Sequence, residues 1–163
     1  MVPLAAWENF FVAQVGASAA LAGLLFVGIS INMTRILQFP VLVLRAMQAL
    51  ILLVTILILG SLTLVPVATS TSLGIEVVGV GAIAFAALAL LVRRVLQRTE
   101  RQYRRGRLVD VAMCLGASSL YVAGGATLAL VGLAGLYLVV PGILLSYTEA
   151  ILSSWVLLVE VNR

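Results

Sequence analysis

Residues 91–107 read LVRRVLQRTERQYRRGR, and this stretch decides the fold class. Seven of the chain's ten arginines lie between Arg93 and Arg107, and there is no lysine. On either side the sequence is almost wholly apolar. Overall 63% of the 163 residues are hydrophobic, and the mean hydropathy is +1.23. A soluble domain of this size needs much more polar surface to cover its core. In a bilayer, lipid solvates the outer face instead. The chain is therefore expected to be an all-α integral membrane protein of one domain, 1–163, with the arginine run as a surface connection at 98–107.

Working outward, a spanning helix takes about 20 apolar residues. Five runs satisfy this, at about 9–35, 41–65, 75–97, 108–131 and 138–161. The last two come from a 56-residue stretch. As one helix it would exceed about 80 Å, against roughly 30 Å of hydrocarbon. It must fold back, with Gly132, Gly135 and Pro141-Gly142 as the available breaks. The polar stretch Ala68 to Gly74 reads as a loop. Pro3, Pro40, Pro66 and Pro141 all fall at expected span ends, where proline costs least. The start, MVPLAAWENFF, lacks a basic region and a small-residue cleavage site, so the first run is expected to stay as a helix rather than be cleaved.

Arginine placement orients the spans. One side, holding 1–9, 66–76 and 132–141, has no arginine; the other carries all ten. The excess marks the cytoplasmic side, so the N-terminus is expected outside and the C-terminus inside. The same bias explains a pI near 10 without nucleic acid. Arg93, Arg94, Arg98, Arg101, Arg104, Arg105 and Arg107 form a basic cytoplasmic surface that anchors topology and meets anionic lipid, or lines a vestibule. Trp7, Tyr103, Tyr137 and Trp155 fall near the interfaces, as an aromatic belt does.

Several chemistries are absent. Without histidine, neither a His-dependent triad nor a His-bound zinc site can form. Asp110, the only aspartate, has no dyad partner. Cys114, the only cysteine, makes no intrachain disulfide and reads as a small buried hydrophobe. The chain is not expected to be an enzyme.

What remains is the placement of polar residues on spans. Glu8 and Glu76 lie at the outer ends of spans one and three. Glu149 falls midway along span five, where a charge costs several kcal/mol, about 3 on insertion scales, unless it faces protein or water. Ser146, Glu149, Ser153 and Glu160 make one polar stripe. It is either an ion or proton site or a set of interhelical hydrogen bonds. In span one, Gln14, Ser18, Leu21, Leu25, Gly28, Asn32 and Arg35 recur on one seam. With polar ends and an apolar middle, it either lines a pore, with Leu21 and Leu25 as a hydrophobic constriction, or packs span one inside the subunit. Gly16, Ala19, Ala20 and Gly23, on a flanking seam, permit close helix approach. No internal repeat is visible, and five spans do not divide into inverted halves.

Residues Trp7 to Leu21, WENFFVAQVGASAAL, with Gly23, Phe26-Val27, Ser30-Ile31-Asn32 and Arg35-Ile36-Leu37, carry a resemblance. They resemble small actinobacterial membrane proteins, among them small pentameric, calcium-activated cation channels. The likeness covers about 30 residues. It implies a homo-oligomeric, pentameric cation channel of the bacterial plasma membrane, with calcium as a regulatory ion and self, lipid and cations as partners. It offers no catalytic or selectivity motif to transfer, so any metal ligands are unassigned. The alternatives are a small proton- or cation-coupled transporter using Glu149, and a non-conducting membrane scaffold or accessory subunit.

Overall fold

The computed structural model describes residues 5–66, 69–98 and 104–161, excepting the side chains at 5, 95–98, 104–107 and 158–161. It is helical throughout the described residues. In order come α1 (Ala5–Ile31), α2 (Met33–Gln38), α3 (Pro40–Thr63), α4 (Ser70–Arg98), α5 (Arg104–Leu130), a 3-10 turn (Leu133–Gly135) and α6 (Leu136–Val161). Five of the helices are long and apolar enough to cross a membrane. In lipid the backbone must satisfy its own hydrogen bonds, and a helix does so within one segment.

The helix ends have local causes. Asn32 interrupts the first run: its side-chain amide donates to the Gly28 carbonyl at 3.1 Å, and its backbone leaves the helix at φ −108, ψ 13. This local bond competes with the helical ladder, so α2 begins as a separate short helix. Phe39 is extended, as a residue before proline tends to be, and Pro40 opens α3. The stretch expected as a loop up to Gly74 is helical from Ser70. Thr69 explains this: its hydroxyl accepts from the Ser72 backbone N–H at 3.2 Å, which caps the helix start. The α5–α6 reversal falls at Gly132, whose φ of +99 suits glycine. Pro141 corrects the expectation that every proline sits at an end, because it lies inside α6. It is the sixth residue of that helix. Its missing N–H therefore leaves the Tyr137 carbonyl without its helical donor.

α3 packs against α1, α4 and α6, and α5 packs against α4 and α6. At the end away from the arginine run, Phe11, Ile56, Leu73, Tyr121 and Ile143 bring all five spans into one core. Toward the arginine-rich end, Leu25, Leu42, Leu53 and Ala150 join α1, α3 and α6.

α4 and α5 approach each other over glycine. A Cβ at Gly125 would lie 2.7 Å from the Val78 nitrogen and 2.9 Å from the Gly74 carbonyl oxygen. Backbone atoms cannot rotate away, so the helices would have to separate. Gly125→Ala should therefore cost about 1–3 kcal/mol, the usual range for overpacking. A thermal unfolding series in detergent checks this, and an unchanged midpoint would show that the crossing is looser than described.

Candidate functional site

The polar interior lies between α3, α5 and α6. Arg45 and Asp110 form an ion pair between α3 and α5, with side chains 17% and 29% exposed. Both residues lie in the second turn of their helices, near the arginine-rich end. One turn deeper, Gln48 donates its amide N–H to the Cys114 sulfur, and both residues are buried. The spacing is helical on both sides: 45 to 48 on α3, and 110 to 114 to 118 on α5. Ser118 is also buried and donates to the Cys114 carbonyl at 3.0 Å.

α6 runs antiparallel to both and supplies a buried carboxyl. Glu149 is 1% exposed. Its Oε1 accepts from the Ser153 hydroxyl at 3.0 Å, while its Oε2 is buried without a hydrogen-bond partner. Ser146, on the same face, shares a 2.7 Å hydrogen bond with the Tyr121 hydroxyl of α5. The stripe Ser146–Glu149–Ser153 thus faces the bundle interior. The fourth member, Glu160, has its side chain outside the described residues. A bare carboxylate so deep is costly without a compensating charge. Such a group holds a proton or a cation, or binds one transiently.

The α1 seam also turns inward, toward α3 and α6. Ser18 is buried, with its hydroxyl donating to the Val15 carbonyl at 3.0 Å. The Gln14 carbonyl accepts from the Tyr147 hydroxyl of α6 at 2.9 Å, and Gln14 Oε1 is buried without a partner. Below them Leu21, Leu25, Gly28 and Asn32 border an apolar groove of about 270 Å³, floored by Leu53, Ala150 and Leu157 and rimmed by the exposed Leu24 and Trp155. The seam is therefore sealed in its first half and borders a groove in its second.

Glu8 and Glu76 are both exposed. They share the end opposite the arginines, where Trp7 meets Tyr137 edge-on at 5.0 Å. Trp155 and Tyr137 are largely exposed. Tyr103 lies outside the described residues. Arg93 and Arg94 are exposed on the last turns of α4. Arg101 and Arg163, and the side chains of Arg98, Arg104, Arg105 and Arg107, lie outside the described residues. Among the described residues no three His, Cys, Asp or Glu side chains gather as a metal site.

Sequence reasoning missed the Arg45–Asp110 and Gln48–Cys114 pairs. Arg45 counts toward the topology bias and Cys114 reads as a small hydrophobe, so neither pattern names its partner. The signal was present as polar residues at helical spacing on two apolar spans. The chain matches no protein-family model, and no curated protein or solved structure matches it.

Proposed function

We propose that the chain forms a homo-oligomeric cation channel of the bacterial plasma membrane, with its N-terminus outside and α1 beside the conduction path. The observation that carries this is the bareness of α1. Of its apolar window 17% is buried, against 33–44% for the other four spans. Part of its uncovered face is small: Gly16 and Gly23 have nothing within 4 Å of an added Cβ, while bulky Leu24, Phe26 and Val27 are exposed beside them. Lipid is well served by bulky side chains, whereas a glycine face suits another helix at close range. A second copy is the natural occupant, and the helix 1 resemblance implies five.

The seam from Gln14 to Asn32 keeps a part in this proposal. Its half beside the groove leaves α1 free to move against α3 and α6, and Leu21 and Leu25 are the apolar contacts such a motion breaks. Arg93, Arg94 and the adjoining arginine run meet cytoplasmic water and anionic lipid. Calcium activation comes from the resemblance alone, and no step here passes through that ion. Native mass spectrometry of the detergent-purified protein tests the assembly. It should give a homo-oligomer, and monomer alone would remove the proposal's basis.

The sign of the permeant ion follows from Glu8 and Glu76. Symmetry repeats these exposed acids into a negative ring, which concentrates cations. Glu8→Gln with Glu76→Gln should lower cation conductance at low salt. The loss should shrink at high salt, where the screening length falls to about 3 Å at 1 M. Anion preference in the unmodified protein would refute the assignment of sign.

One observation favours a second reading. Glu149, buried at mid-span with a free oxygen, suits a small proton- or cation-coupled transporter whose site lies inside each subunit. Slow coupled flux in place of discrete current steps would select it.

A further inference from the structure

Polar groups descend from the arginine-rich end to the middle of the bundle in three steps. Asp110 stands six residues beyond Arg104 on α5, about 9 Å of helix rise. Its carboxylate is 29% exposed and paired with Arg45. Cys114 stands ten residues in, about 15 Å deep by the same rise, and is bonded by Gln48. Glu149 is twelve residues from the end of α6 at Val161, about 18 Å deep, with Ser153 between it and the surface. Beyond Glu149 the buried polar groups of α5 and α6 are neutral hydroxyls, those of Ser118, Ser146 and Tyr121. The ladder is open to water at one end, and Glu149 is its innermost carboxyl.

We propose that Glu149 is a reversible proton-binding site, supplied from the arginine-rich face past Asp110 and the Gln48–Cys114 pair. The carboxyl is buried with no hydrogen bond at Oε2, and the side chain set near it is the Cys114 thiol, itself held by Gln48. Arg45 on α3 and Asp110 and Cys114 on α5 are the charged or titratable groups that act on Glu149 across the packing. The one cation among them, Arg45, is shared with Asp110. A hard metal cation is the weaker candidate. It asks for about six oxygen ligands, whereas the oxygens brought together here are the Glu149 carboxyl and the Ser153 hydroxyl.

The chemistry is a single proton transfer. A hydronium ion at the arginine-rich surface yields its proton, which ends as an O–H bond on Glu149 Oε2, and water is left behind. Oε1 keeps its bond from Ser153 throughout. The core gains one positive charge unit on binding and loses it on release. This assignment does not rest on the channel: a protein that fails to conduct can still bind the proton.

Infrared difference spectra of the full chain in lipid nanodiscs, recorded during a pH titration, test it. The C=O band of a protonated carboxyl should grow as pH falls, and Glu149→Gln should abolish it. Ser153→Ala, a milder change, should shift the band without removing it. Asp110→Asn should slow exchange of that proton for deuterium several-fold. A titrating band that survives Glu149→Gln, or a Glu149 band unmoved by pH, would overturn the site. Unaltered exchange in Asp110→Asn would overturn the route.

Discussion

Tyr121→Ala should destabilise the bundle by about 3–5 kcal/mol, the usual cost of deleting a buried aromatic ring. Tyr121 has no exposed surface. It occupies the junction of three spans. A Cβ at Gly81 of α4 would lie 3.0 Å from the Tyr121 Cβ, and one at Gly142 of α6 would lie 2.8 Å from the ring's Cε1. Two glycines, one on each flanking helix, therefore make room for this one ring. Its hydroxyl also satisfies Ser146. Alanine would leave a cavity that glycine neighbours cannot fill, and would strand the serine. Tyr121→Phe separates the effects, since it keeps the ring and should cost only about 0.5–1.5 kcal/mol for the lost hydrogen bond. Thermal unfolding of both variants in one detergent checks the ratio. Equal losses would mean that the hydroxyl, not the ring, holds the junction.

In the proposed channel, Leu25→Ser should raise the resting open probability by an order of magnitude or more. Leu25 is 8% exposed and belongs to the core that joins α1 to α3 and α6. Truncating a buried leucine costs about 2–5 kcal/mol, and a buried hydroxyl adds to that. If opening moves α1 away from this core, the closed state alone bears the cost. Each 1.4 kcal/mol then shifts the equilibrium about tenfold. The groove beside Leu25 leaves one side of this part of α1 uncovered. Single-channel recording of the variant beside the parent reads the effect directly. A lower unfolding temperature with unchanged open probability would make Leu25 a packing residue and nothing more.

The five long apolar helices, each long and apolar enough to cross a membrane, were legible because such a helix needs a long apolar run, and polar or charged residues mark most of its ends. Finer ends were not. Thr69 and Ser72 look like loop residues, yet the same hydroxyls that favour a loop also cap a helix start. Asn32 looked like a member of the first helix because its spacing fits the seam, but its amide turns back on Gly28. Pro141 reads as a span end because the reversal has no charged residue to mark it, whereas Gly132 nine residues earlier carries the turn.

The candidate site divides similarly. The Ser146–Glu149–Ser153 face follows from helical spacing alone, and all three side chains are buried in the structure. What lies opposite them depends on which helices touch, and no local pattern states that. Arg45 and Asp110 are 65 positions apart in sequence. The α1 seam was visible as a seam for the same reason, while its facing partners, Tyr147 and Ala150 of α6, were not.

Recording from the purified protein in a planar bilayer decides whether an assembly of this chain conducts cations. Discrete current steps are expected, with a reversal potential that follows the cation under a salt gradient. Silence across varied calcium, pH and voltage, or a reversal potential that follows the anion, would contradict cation conduction.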